Sequence, residues 1–180
     1  MFTKLAEKRR SIKKYTSRQV EKDKVDAIIE AALRAPSGRA RRPWEFVVVD
    51  DKQLLEKLSI ARPSGVAFIK DAALAIVVCA DPAKANLWIE DCAIAAVSMQ
   101  YAAHSMGLGS RWGHMRGNNF NDQKSTRDYV AELLDIPDNL DVECIVAIGY
   151  PGEEIPPYKM EELHFDKVSY NRYGSPMYRK

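Results

Sequence analysis

IEDCAIAAVSMQYAA, residues 89–103, governs how the rest of this chain is read. Only Glu90, Asp91, Ser98 and Gln100 interrupt its apolar run. The spacing predicts one helix over 84–106, closed by Gly107 as its C-terminal cap. A membrane-spanning helix needs about 20 predominantly apolar residues, and this stretch is shorter and carries two carboxylates. Ala93, Ala95, Ala96, Ala102 and Ala103 make it apolar almost all round, the pattern of a helix buried on every side. A chain of 180 residues fits one domain, too small to bury such a helix unaided. A second copy is therefore expected to cover the remainder, which points to a dimer.

Outward from that helix the elements are shorter. Phe2, Leu5 and Ala6 stand at helical spacing over 2–8, and Val25, Ile28, Ile29, Ala32 and Leu33 line one side of a helix over 23–33. Pro36, Ser37 and Gly38 stop that helix. EFVVV (45–49), LAIVVC (74–79) and DVECIVAI (141–148) are rich in β-branched residues and predict buried strands. Helices are expected over 51–59 and 125–134, with a short strand over 110–112. Beyond Pro151 the chain turns polar, with Pro156, Pro157, Gly174 and Pro176 and no helical period. Tyr158, Phe165, Val168, Tyr170 and Tyr173 give this tail enough apolar surface to read as an extended arm. Strands among helices of unequal length describe an α+β domain, a sheet covered by helices. The division expected is a domain over 1–150 and an arm of that same domain over 151–180.

Apolar residues at 46% and charged ones at 29% exclude general disorder. Twenty-seven basic residues oppose 25 acidic ones, a formal charge of +2, which argues against a polyanion-binding protein. Without a recognised module, nucleic-acid binding is set aside. Cys79, Cys92 and Cys144 are odd in number, lack C-x-x-C spacing and sit in apolar runs, as buried thiols in a reducing compartment do. Charges break the opening MFTKLAEKRR, so it reads as no signal peptide, and the expected location is cytoplasmic. His104, His114 and His164 have no ligand-like spacing, so no metal is expected. Phosphate-loop, G-x-G-x-x-G, H-E-x-x-H and G-x-S-x-G patterns are missing.

Three segments stand out. Between Lys4 and Arg18 lie seven basic residues and one acid, Glu7. Within that stretch, Arg9, Arg10, Ser11 and Lys13 hold the charge, forked donors and hydroxyl that a phosphate needs. The composition alone suits a solvated basic face equally well. Residues 35–44, APSGRARRPW, form a proline-framed loop with three arginines ahead of a strand, a usual place for a site. An exposed basic turn is its plain alternative. Residues 107–114, GLGSRWGH, let backbone approach a flat ligand, or simply cap a helix and turn.

In order and spacing these segments resemble the nitroreductase family of flavin-dependent oxidoreductases. Its R-R-S-x-R-x-[YF] opening corresponds to residues 9–15, with Lys13 in the arginine position. Its A-P-S-[GA]-x-N-x-Q-P-W loop corresponds to 35–44, its G-L-G-[ST]-C-W to 107–112, and its I-G-Y-P to 148–151. The resemblance covers about residues 2–173. Ala40 replaces the usual Asn, Arg42 the usual Gln, and Arg111 a frequent Cys. Arg42 either supplies a cationic donor to the flavin or points at substrate.

The resemblance implies a mostly antiparallel mixed sheet flanked by helices. It also implies FMN held noncovalently at two equivalent sites of an intertwined homodimer, with the C-terminal arm exchanged and an edge strand near 168–171. It implies that Arg9 and Ser11 hold the phosphate with Arg10 alongside, and that Lys13 approaches the pyrimidine edge of the isoalloxazine. Pro36, Ser37 and Gly38, with Ala40 and Arg42, would come from the other subunit. Trp112, Gly113 and His114 would present backbone to N(5), and Lys159 would be a second phosphate cation. The implied reaction passes a hydride from NAD(P)H through FMN to a nitroaromatic, quinone or similar small acceptor by ping-pong kinetics, with no catalytic side chain. An enone or halogenated phenol as acceptor, a non-catalytic flavin carrier, and a basic-loop protein without flavin are the alternatives.

Overall fold

Strands β2 (Leu74–Ala80) and β6 (Asp141–Gly149) form the centre of a computed structural model that describes residues 1–177. The end of the expected arm, 178–180, lies outside the described residues. Alternation of side chains puts Leu74, Ile76, Val78 and Ala80 into one apolar layer and Ala75, Val77 and Cys79 into another. The first layer packs on α2 (Lys22–Leu33) and α4 (Trp88–Ser105). The second packs on α3 (Lys52–Leu58), a 3-10 turn at Ala67–Asp71, and α5 (Thr126–Leu134). Helices on both faces bury both sides of the central strands, which explains their unbroken apolar runs.

Outside this pair, β1 (Trp44–Val49) and β3 (Gly109–His114) complete a sheet of order β1–β2–β6–β3. Every neighbouring pair is antiparallel, and a single parallel bridge, Ser11 to Ser110, adds the mixed character expected. A small hairpin of β4 (Asn119–Asn121) and β5 (Lys124–Ser125) precedes α5. Helix α1 (Phe2–Lys8) lies against α4.

One expectation needs correction. Helix α4 begins at Trp88 rather than at 84, because the Lys84 carbonyl accepts Arg41 Nη1 at 2.9 Å and Leu87 leaves helical conformation at φ −102°, ψ 24°. Its other end is as expected, with Gly107 at φ +78° just past the cap. Residues 168–171, expected to add an edge strand to a partner subunit, join no strand of their own protomer's sheet. The tail folds back on itself instead, the Tyr170 N–H donating to the Ser175 carbonyl at 2.7 Å and the Met177 N–H to that of Val168 at 3.2 Å. Short 3-10 turns occupy Met160–Glu162 and Phe165–Lys167, and the tail beyond Ile155 is exposed.

Helix α4 is covered on one side. Cys92, Ala95, Ala96, Met99 and Ala103 are fully buried, whereas Ile94 and Val97 are 40% and 43% exposed. With Phe2, Ala93, Ser98 and Tyr101 they line an apolar groove of about 410 Å³. The ring centroids of Phe2 and Tyr101 sit 4.8 Å apart there. No helix among the described residues is long and apolar enough to cross a membrane.

Candidate active site

Strand β3 ends the sheet, so among the described residues one of its edges has no strand beside it. On that edge the Ser110 carbonyl accepts the Ile12 N–H at 3.1 Å, which fixes the parity of the strand. In an antiparallel ladder a residue turns its N–H and C=O to the same side. Ser110, Trp112 and His114 therefore face the open edge, and Gly109, Arg111 and Gly113 face β6. The His114 carbonyl agrees, accepting Arg62 Nη1 at 2.8 Å. Trp112 offers its N–H and C=O at this edge, and His114 its N–H. Residues 9–13 can approach because Gly109 has no side chain: a Cβ there would stand 2.8 Å from Ile12 Cγ1.

Electrostatics at this end of α4 favour an anion. Among the described residues Arg9 Nη1 is buried without a hydrogen-bond partner, a costly state for a charged donor. The half-buried His104 has its pKa lowered, first by burial and then by Arg9 and Lys8. Ser11 is exposed beside its bridge to Ser110. Arg10 turns away, donating to the Pro156 carbonyl with its guanidinium 4.0 Å from the centre of the Tyr158 ring. Lys13 lines an open cavity with Phe68 and Arg111. Its N–H donates to Glu153 Oε1 at 2.6 Å and that of Lys14 at 3.0 Å, which holds the Glu153 carboxyl below its ordinary pKa.

Loop 36–42 is built from backbone shape. Arg39, Ala40 and Arg42 have φ of +53°, +55° and +47°, a left-handed region that side chains disfavour. Three contacts hold them there. The Arg42 N–H donates to Ser37 Oγ at 3.0 Å, Arg41 donates to the Lys84 carbonyl, and the Gly38 N–H donates to Asp91 Oδ1 at 2.8 Å. Asp91 is 2% exposed, and its Oδ2 is buried without a partner.

Within one protomer the loop and the cations stay apart. Gly38 meets α4 at Asp91 in its first turn, whereas Ser11 meets Ser110 beyond its last residue. The 18 residues of α4 span about 27 Å at about 1.5 Å each. The first and third sequence segments are thus joined, and the second lies at the opposite end of the helix. Lys159 lies in the exposed tail, its N–H on Glu162 Oε2 at 2.7 Å.

The side chains of Trp112 and His114 stack at 6.3 Å. Buried Glu143 accepts Arg116 Nε at 2.7 Å and lies 3.6 Å from His114 Nδ1. Sequence reasoning missed Arg62, Glu143 and Glu153, which no motif marks. Asp91 did carry a signal, as an acid inside an apolar run. The three thiols are buried and free, and burial raises Cys79 and Cys92 to about 12 and lifts Cys144 well above its ordinary value. Among the described residues no group of His, Cys, Asp and Glu could hold a metal.

An antiparallel sheet with helices on both faces, and an N-terminal segment bridged to its edge strand, defines an α+β protein of a recognisable class. The nitroreductase family model matches residues 6–62 and 60–150, and the chain belongs to that family. It is 36% identical over 148 residues to a protein of Methanothermobacter thermautotrophicus described as an NADH dehydrogenase/NAD(P)H nitroreductase, covering 81% of this chain and 74% of that one. A protein of Archaeoglobus fulgidus with the same description is 35% identical over 158 residues, covering 86% and 87%. Among solved structures, an FMN-dependent nitroreductase from Clostridium difficile superposes with a TM-score of 0.92 at 46% identity, covering 94% of this chain and 98% of that one.

Proposed function

We propose that this chain is an FMN-dependent oxidoreductase that takes a hydride from NAD(P)H and reduces a nitroaromatic, quinone or similar small acceptor. One observation carries the reading: the Nη1 of Arg9, buried without a partner among the described residues, two residues before the Ser11 bridge to β3. A phosphate would satisfy that nitrogen, while the outward backbone of Trp112 and His114 suits the edge of a flat heterocycle. The donor set therefore fits FMN, and the relatives described as FMN-dependent and NAD(P)H-linked support the assignment.

FMN held here would supply a two-electron carrier for donor and acceptor in turn, the basis expected for ping-pong kinetics. Arg9 and Ser11 hold the phosphate, and Arg10 joins them only by leaving Pro156 and Tyr158. Lys13 neutralises negative charge at the pyrimidine edge. The His114 N–H donates at the N(5) side, and Arg62 fixes that residue through its carbonyl. No side-chain acid or base is assigned to the step.

The site is completed in a homodimer. Two α4 helices packed antiparallel across a two-fold axis set loop 36–42 of one subunit beside residues 9–13 of its mate. Pro36, Ser37 and Gly38, with Ala40 and Arg42, then reach the flavin from the partner. The exposed tail, with Lys159 as a second phosphate cation, lies on that partner as an exchanged arm. Buried free thiols suit a cytoplasmic setting.

The test is direct. The purified protein is expected to show the visible absorption of oxidised flavin, to lose it anaerobically with NADH or NADPH, and to regain it with a nitroaromatic or a quinone. A colourless protein that refuses added FMN overturns the reading. A yellow one that neither pyridine nucleotide bleaches is a carrier instead.

A further inference from the structure

Lys13, Lys70 and Arg111 line one open cavity of about 360 Å³ beside Phe68, with Asp71 also on its wall. Three different elements deliver these cations: the N-terminal segment, the turn at Ala67–Asp71, and β3. Among the described residues none of the three is in an ion pair. Glu153 meets Lys13 at its backbone N–H. Arg111 is half-buried, its guanidinium 4.8 Å from the centre of the Phe68 ring. A planar cation on an aromatic face is held in one orientation at little entropic cost. Three cations against the one carboxylate of Asp71 leave this wall with a positive excess that an electron-rich ligand would offset.

We propose that Arg111 is a second cation at the pyrimidine edge of the flavin, and that with Lys13 it raises the reduction potential of bound FMN. The inference rests on the FMN reading and adds a residue to it. Two-electron reduction leaves negative charge at N(1) and the C(2) carbonyl, so a fixed cation there favours the reduced form. The backbone of Arg111 is committed to β6, so its contribution to the cavity is its side chain alone. Position 111 thereby sets a property of the cofactor through a charge that a cysteine at the same place would lack.

The experiment uses FMN-loaded parent enzyme, Arg111→Cys, Arg111→Gln and Arg111→Lys. Midpoint potentials are read by anaerobic equilibration with reference dyes, and KM is measured for 4-nitrobenzoate and for neutral nitrobenzene. Removing the charge by Cys or Gln is expected to shift the two-electron equilibrium about tenfold toward oxidised flavin, or ~30 mV. Arg111→Lys is expected to retain at least half of the parent's advantage. Gln, polar and able to lie on Phe68, keeps the test open if Cys disturbs folding. Unchanged potentials in both uncharged variants overturn the proposal. Such a result, with a raised KM for 4-nitrobenzoate alone, places Arg111 against the acceptor instead. A parent that binds no FMN fails earlier and takes the underlying reading with it.

Discussion

At the C-terminal end of α4 the chain displays charge on regular backbone: an extended segment bridged to a strand, with Arg9, Ser11 and Lys13 along it. At the N-terminal end it displays contorted backbone, with three left-handed residues between Gly38 and Pro43. A strained non-glycine residue costs on the order of 1–3 kcal/mol and persists where its surroundings over-determine it. Here the surroundings are Ser37, Asp91 and the Lys84 carbonyl. The first end therefore depends on what binds to it, and the second on a buried carboxylate beneath it. Ligand affinity and fold stability are thus expected to respond to substitutions at different ends.

The largest effect is expected from Ile94→Asp combined with Val97→Asp, which puts two charges into the open groove of α4. Burying unpaired carboxylates costs several kcal/mol, so sedimentation should find monomers. FMN retention should fall by about two orders of magnitude as the two ends lose each other (about 3 kcal/mol). A monomer that still holds FMN would break the two-chain site. Arg9→Met comes next. Losing a charge-assisted phosphate contact worth about 1.5–3 kcal/mol should weaken FMN binding by about 10- to 100-fold in calorimetry. The apoprotein should melt no lower, since the variant removes a buried donor that has no partner.

Asp91→Ala reverses that pattern. It strands the Gly38 N–H and should cost about 1–3 kcal/mol in urea denaturation, with Asn, which keeps an acceptor, recovering much of it. Equal effects of Arg9→Met and Asp91→Ala on stability would erase the contrast between the ends. The smallest effect lies away from both. The Tyr150 hydroxyl, Glu21's own backbone N–H and Arg18 hold the Glu21 carboxyl at about 2, against 4.5 unperturbed. A depressed carboxyl stabilises the fold above its unfolded pKa, and that contribution is lost as pH falls from about 4.5 toward about 2. Glu21→Gln should flatten acid melting in that window and leave FMN affinity unchanged.

The central strands were legible because their apolar runs are buried on both faces. Strand β3 was seen in part, over 110–112, since Gly109, Gly113 and His114 have weak strand preference and owe their conformation to pairing with β6. The hairpin at Asn119–Asn121 and Lys124–Ser125 is short and polar and carries no alternation to read. In the site, the cations of residues 9–13 and the glycines of β3 were visible as types. The strain in loop 36–42 was not, because Arg39, Ala40 and Arg42 are not residues that announce positive φ. Nor was the tie from Gly38 to Asp91, which joins residues 53 apart in the chain.

The open edge of β3 has an evolutionary corollary. The groups it offers belong to the main chain, so any amino acid except proline can furnish the N–H at 112 or 114. If the proposed site is right, descendants of this scaffold are free to exchange those side chains and explore new reactants while the backbone's hold on the heterocycle is inherited. Chemistry secured by architecture leaves selectivity as the part that drifts.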